Sequence, residues 1–322
     1  MRVNSGVRSC KRSVKVGQML KNDEIIPGGF HSAVVLGTAR NASVNVAEDI
    51  KRIVDSLSTL LPTLAFIVES DSEDNTVSVL KELTVEDSRI RFATLGRVSD
   101  LIPDRIARLR HCRNVYLQEL RLNQIYKHCD LVVIADLDGI NTKINAQSLK
   151  LALESDAPWD VLTANQSAGY YDILALRHNY WSPNNWLLEA EWFALHVSKK
   201  EAIKHSMLDR MIKIHPSLPP FEVQSAFGGL ALYRRWTLEK CDYSVDCPEA
   251  ESEIDHVTLN RKIRQLDGRI FIHPGLINSN WTAHSLSLSK SIRFIRSLFK
   301  LFPLNYMQPT LRRFAKAFLG RL

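Results

Sequence analysis

Short apolar runs punctuate the first two thirds of the chain. Ser32 to Leu36, Leu64 to Val68, Ile90 to Ala93, Leu131 to Asp136 and Val161 to Ala164 have the length and side chains of buried strands. The segments between them follow the helical period instead. From Asn45 to Leu61, the residues Val46, Ile50, Ile53, Val54, Leu57 and Leu61 fall on one face, and Val77 to Leu83, Arg105 to Lys127 and Ala146 to Glu154 read as further helices. This alternation predicts an α/β fold with a mostly parallel central sheet, helices on both faces, and ligands bound beyond the carboxyl ends of the strands. Tyr170 to Trp192 reads as aromatic and loop-rich. Phe227 to Tyr233 is a turn entering a strand, Val257 to Leu266 a helix, and Arg269 to Ile272 a closing strand before His273-Pro274-Gly275. A mobile arm over residues 1–30, ending at Pro27-Gly28-Gly29, a single domain over 31–285 and a tail over 286–322 complete the expected organisation.

Composition adds little until charge is mapped along the chain. At 322 residues, 45% hydrophobic and 24% charged, the chain can bury a large core and matches an ordinary soluble enzyme. Cys10, Cys112, Cys129, Cys241 and Cys247 are odd in number and lack metal-ligand spacing, which predicts reduced thiols in the cytoplasm and no zinc. With no signal peptide or membrane span in sight, the Asn-x-Ser/Thr sequons at Asn41, Asn165 and Asn280 read as incidental. The net charge of +7 is uneven: residues 1 to 21 carry six basic residues without an acid, and residues from 286 onward carry eight, also without one. The body between is therefore acidic, near −7.

The tail is amphipathic as well as basic. Ile292, Ile295, Leu298, Phe299 and Phe302 share one side of a helix, Lys290, Arg293, Arg296 and Lys300 the other, and Leu311 to Leu322 repeats the arrangement around Phe314 and Phe318. Near an anionic leaflet each basic residue contributes about 1 kcal/mol, so the tail predicts peripheral docking on the cytoplasmic face of a membrane. The alternative is a helix packed on the protein's own core. An acidic body without a base-reading motif argues against nucleic acid as the partner.

The strongest chemical signal is Leu131 to Gly139, an apolar strand that closes on Asp136-Leu137-Asp138. In a strand these carboxylates point to the same side, at the edge where a buried strand meets solvent. Oxygen-only ligation suits Mg²⁺ or Mn²⁺, ions that keep open positions for phosphates, so Asp136 and Asp138 read as a metal-held diphosphate clamp of the kind used with nucleotide-sugars. A nucleotide lying across the strand ends would meet Glu69 or Asp71 at its base or ribose, and backbone near Thr38, Arg40 and Asn41 at its polar edges. Arg105, Arg108 and Arg113 can share a helix face and present forked donors to the diphosphate, with a solvated basic face as the alternative. Asp74 also reads as a plain helix cap. Gly228 and Gly229, lacking Cβ atoms, would let backbone approach a sugar closely. Tyr170, Tyr171, Trp181, Trp186 and Trp192 either stack on acceptor rings or pack the core.

Taken in order, Glu69 to Thr76, the run Arg105-Ile106-Ala107-Arg108-Leu109-Arg110-His111-Cys112-Arg113-Asn114, Asp136-Leu137-Asp138 and Phe227-Gly228-Gly229 make residues 32 to 285 resemble the GT-A glycosyltransferases, most of all the fungal capsule-associated α-mannosyltransferases and their bacterial relatives. Tyr171-Asp172 to Arg177 matches that family's Tyr-Asp-x-x-x-x-Arg segment. Asp255-His256-Val257 resembles the opening of a catalytic helix in many glycosyltransferases, where an acidic pair is usual. The resemblance implies a metal-dependent, retaining hexosyltransferase that moves mannose from GDP-mannose to a saccharide or lipid-linked glycan acceptor in surface-polysaccharide synthesis. It also implies catalytic roles for Asp172, Asp255 and His256, with Asp255 as base or orienter, and places His284 as a third metal ligand. Two other readings of Asp136-Leu137-Asp138-Gly139 stand beside it: a haloacid-dehalogenase-type phosphatase with Asp136 as nucleophile, and a non-catalytic peripheral membrane scaffold.

Overall fold

The computed structural model describes residues 27–246 and 253–280. The tail, His284 and all but the last residues of the N-terminal arm lie outside that range. Eight strands make one sheet: β1 (Ala33–Ala39), β2 (Thr63–Glu69), β3 (Ile90–Thr94), β4 (Leu131–Asp136), β5 (Val161–Gln166), β6 (Phe221–Val223), β7 (Leu230–Arg234) and β8 (Ile270–Ser279). They are ordered β3-β2-β1-β4-β7-β5-β8-β6. The block β3-β2-β1-β4 is parallel, as is β5 with β8, while β7 runs antiparallel between β4 and β5 and β6 antiparallel on the far edge. The sheet is thus the mostly parallel one the alternation predicts.

Period-two alternation sorts each strand between two apolar layers. Val35, Ile67, Val133 and Leu232 face α1 (Val46–Ser58), α2 (Thr76–Glu86) and α4 (Ala146–Leu153). Val34, Phe66, Val132 and Tyr233 face α3 (Arg105–Leu122) and α8 (Asp255–Gln265). Burying a Leu, Ile or Val contributes about 1.5–3 kcal/mol, so two continuous layers hold the strand ends rigid.

Several expectations are corrected. The arm is anchored at its last residue: Phe30 is buried, stacks on Trp159 at 5.7 Å, and both rings lie under the Arg234 guanidinium. The stretch read as loop-rich holds α5 (Trp186–Phe193), followed by α6 (Lys199–Ser206). β7 leads directly into the short α7 (Arg235–Lys240). The closing strand runs on through Pro274 to Ser279 rather than ending at Ile272. Register shifts against β5 between Thr163 and Gln166 accommodate the proline, which cannot donate to a regular ladder.

Candidate active site

The carboxyl ends of β1, β2, β3 and β4 line up along one edge, and β4 delivers the Asp pair there. Leu137 turns into the core while Asp138 is exposed, and Asp136 keeps a third of its side chain open. The backbone around them is gripped by α1 and the turn before it: Asn45 Nδ2 donates to the Asp138 carbonyl at 3.0 Å, and the Gly139 N–H donates to Asp49 Oδ2 at 2.7 Å. Gly139 has φ +93°, and a Cβ there would lie 2.9 Å from the Asn45 side chain, so glycine is required. Burial pushes the Asp49 carboxyl up to about 6, against the Gly139 N–H and with help from the nearby Asp138 charge.

The nucleotide-side candidates line a cavity of about 320 Å³ beyond β1, β2 and β3, with Arg40, Glu69, Asp71, Thr94, Arg97 and Ser99 in its walls. Three inter-strand spacings, about 14 Å, separate the end of β3 from that of β4. Glu69 is buried in this wall, where its two oxygens accept from the Ser72 N–H at 3.0 Å and from the Thr94 hydroxyl. Asp71 differs: in left-handed backbone with φ +57°, it accepts from Ser99 N–H through Oδ1 at 2.7 Å, while buried Oδ2 has only the Arg108 guanidinium, 3.9 Å away. Arg40 is exposed at the rim and donates to the Asp71 carbonyl at 3.4 Å. Thr38 lies in β1 directly opposite Asp136. Asp74 accepts from the Thr76 N–H at 3.0 Å from one residue ahead of the α2 N-cap, which is Asn75 rather than Asp74.

The arginines of α3 do not converge on one target as their spacing suggests. Arg105 is exposed, Arg108 turns to Asp71, and Arg113 is buried, with Nη1 2.8 Å from Asp255 Oδ2 and Nη2 3.4 Å from Asp136 Oδ1. Arg113 therefore joins the metal strand to the start of α8. Asp255 opens that helix and is itself buried. His256 is not placed to exchange protons with a substrate: its ring stacks on Phe227 at 3.6 Å, Nε2 contacts the Arg113 guanidinium, and burial, followed by the Arg113 charge, holds it neutral.

Asp172 completes this side. It accepts from the Gly228 N–H at 2.9 Å and from the Ala175 N–H at 3.3 Å, and burial raises its pKa against those two donors. Gly228 and Gly229, at φ +70° and +82°, leave space for protein rather than for sugar. A Cβ on Gly228 would meet the Ala164 carbonyl at 2.6 Å, and one on Gly229 would meet Ile140 and Tyr171 at 3.0 Å. Among the aromatics, Tyr170 is in the core, and Trp181 is partly buried with its indole N–H on the Arg210 carbonyl at 2.7 Å. Trp186 packs against the core and Tyr171 against Gly229, which leaves Trp192, 59% exposed, as the one lying open.

The donor set suits a hard divalent cation. Burial holds the Asp136 carboxyl well above the usual carboxylate range; Arg113 opposes this, while the Asp138, Asp172 and Asp255 charges add to it. A cation between Asp136 and Asp138 would relieve that repulsion. No group of three potential ligands converges among the described residues, so water and ligand oxygens would fill most of its coordination sphere, as Mg²⁺ and Mn²⁺ prefer. Residues that the sequence reading passed over support the site from beneath: Asn141, Gln166 and Asn278 are fully buried. Their only sequence signal is a carboxamide placed inside or just after an apolar strand run.

No family model and no curated protein matches the chain. Among solved structures it is similar to a mannosyltransferase from Pyrobaculum calidifontis in complex with GDP-mannose and Mn²⁺, at 14% identity over 77% of this chain and TM-score 0.45; the match spans 56% of that protein. It is also similar to glucosyl-3-phosphoglycerate synthase from Mycobacterium tuberculosis in complex with UDP, at 15% identity over 80% of this chain and 72% of that chain, TM-score 0.38. Mannosyl-3-phosphoglycerate synthase from Rubrobacter xylanophilus gives 14%, 87%, 77% and 0.37 for the same quantities.

Proposed function

We propose that the chain is a metal-dependent glycosyltransferase of the GT-A type that transfers a hexose, mannose from GDP-mannose, to a saccharide or lipid-linked glycan acceptor. The observation that carries the reading is the alignment along one sheet edge of three features. These are a cavity walled by Glu69 and Asp71, the Asp136–Asp138 carboxylates, and the buried Arg113–Asp255 pair with half-buried Asp172 nearby. Nucleoside, diphosphate and sugar would occupy them in that order. Mn²⁺ or Mg²⁺, when bound, neutralises the leaving diphosphate. Asp136 and Asp138 hold that charge in place, and Arg113 keeps Asp136 and Asp255 at a fixed separation. Asp255, buried at the positive end of α8, pairs with Arg113 and so orients the guanidinium that faces Asp136. In a retaining reaction the diphosphate takes the acceptor's proton, and Asp255 acts only through Arg113.

A thermal-shift panel of GDP-mannose, UDP-glucose and GDP, each with and without Mn²⁺, tests the assignment, because a ligand that binds only the native state stabilises it by RT ln(1 + [L]/Kd). Stabilisation by GDP-mannose that requires Mn²⁺, followed by transfer to a glycan, is expected. Stabilisation by BeF₃⁻ instead would support the phosphatase reading, and silence from every nucleotide the scaffold. The segment over 286–322 is proposed to dock on an anionic membrane surface; among the described residues no helix is long and apolar enough to cross a membrane.

A further inference from the structure

Three carboxamides under the site, Gln166 on β5, Asn278 on β8 and Asn141 in the loop after β4, are each fully buried and are joined head to tail. The Tyr171 N–H donates to Gln166 Oε1 at 3.2 Å. Gln166 Nε2 donates to Asn278 Oδ1 at 3.0 Å and to the Gly228 carbonyl at 2.9 Å. Asn278 Nδ2 passes the pattern on, to Asn141 Oδ1 at 3.1 Å and again to the Gly228 carbonyl at 2.8 Å. Asn141 Nδ2 ends the series on the Asp136 carbonyl at 2.6 Å and the Gly229 carbonyl at 3.4 Å. Every amide N–H has an acceptor and every amide oxygen a donor, so no member can flip without leaving a buried group unpaired.

The two ends of this series are functional. One is the peptide of Asp136; the other is Tyr171, next to Asp172, whose carboxylate in turn accepts from Gly228, the residue whose carbonyl two of the amides share. We propose that Gln166, Asn278 and Asn141 are positioning residues that fix the cation-holding carboxylate Asp136 relative to Asp172. An apolar filler of the same volume would support the sheet equally well, but would leave the buried carbonyls of Asp136 and Gly228 without their amide donors, while the Gly229 carbonyl keeps the Asp136 N–H at 3.0 Å. A fully satisfied polar network keeps them paired.

The proposal rests on the transferase reading but is separable from it by a control in the same strand. Asn165, also fully buried, instead donates to the Ile214 and Pro274 carbonyls at 3.3 and 3.0 Å, outside the hydrogen-bonded series of the three amides. We compare Asn278→Ser with Asn165→Ser, with Asn141→Ser as a second relay variant should Asn278→Ser not fold. Mn²⁺ affinity of the enzyme alone is measured by electron paramagnetic resonance, alongside melting temperature, kcat and donor KM.

The two variants should melt within a few degrees of each other. Asn278→Ser should weaken Mn²⁺ binding by about 10- to 100-fold, the usual cost of losing an outer-shell partner, and lower kcat more than it raises KM. Asn165→Ser should leave both unchanged. Equal losses in the two variants, or none in either, overturn the proposal. A wild type that binds Mn²⁺ but transfers no sugar sinks the transferase reading alone, with the Mn²⁺ comparison still deciding the relay; a wild type that does not bind Mn²⁺ overturns both.

Discussion

Asp138 is the exposed half of the carboxylate pair, and exposure separates its worth to the fold from its worth to the chemistry. Asp138→Ala should change stability by no more than about 0.5 kcal/mol, as surface substitutions do, while transfer falls at least about 100-fold because the cation loses a ligand. Denaturant titration and a turnover assay in saturating Mn²⁺ check the two halves; turnover near the wild-type value would remove the metal from the mechanism. Arg113 is the reverse case. Its guanidinium compensates Asp255 in a buried setting, so Arg113→Leu should cost about 3–5 kcal/mol by leaving a buried charge alone, with activity lost alongside. The Asp pair was legible in the sequence because an apolar run followed by alternating carboxylates has a local signature. The pairing of Arg113 with Asp255 was not legible, because His256, beside Asp255, lies 143 residues from Arg113 and spacing along one helix says nothing about what is packed opposite. The Thr94 hydroxyl that donates to Glu69 was out of view for the same reason, since it comes from the next strand.

Elements whose apolar residues keep to one face were legible: α1 at 13 residues and α4 at only 8, with Leu149, Ala152 and Leu153 buried. α5, with apolar residues on several sides, the polar α6, α7 at 6 residues and β6 at 3 carry no such signal. The turn between Phe227 and β7 was legible as a turn, yet its purpose was not. Its glycines meet the Ala164 carbonyl and the Ile140 and Tyr171 side chains, and a sequence cannot show such contacts. Gly228→Ala adds a Cβ both at positive φ and against backbone, so a loss of at least about 1–3 kcal/mol is expected in denaturant melts, together with displaced Asp172 and lower transfer. β8 makes a different prediction. His273 is buried within it, and burial lowers its pKa below the ordinary value of 6.5. The unfolded chain then binds the proton more readily. Relative to His273→Gln, wild-type stability should hold above pH 6.5 and fall by up to about 1.4 kcal/mol per pH unit below it. Parallel pH dependences in the two proteins would show that His273 takes up its proton in the fold.

At the scale of the whole molecule, charge and fold divide the labour. The acidic body carries the sheet and the cleft, while the basic residues concentrate in segments at either end of the chain. Anionic lipid would repel the first and attract the second, so attachment should depend on the tail and on salt, with screening over a Debye length of about 10 Å at 0.1 M. The full chain should therefore co-sediment with anionic vesicles at low ionic strength, leave them as NaCl rises, and ignore neutral ones. A version ending at Ser285 should lose this binding yet keep transfer to a soluble saccharide acceptor within about twofold, since every candidate site residue, His284 included, precedes that point. Undiminished binding by the shortened chain would move the anchor to the body itself. There α5 and the turn after it present Leu188, Trp192 and Leu195 at 56%, 59% and 77% exposure, an apolar surface that salt would strengthen rather than release. The direction of the salt response, read on both versions, decides between the two anchors.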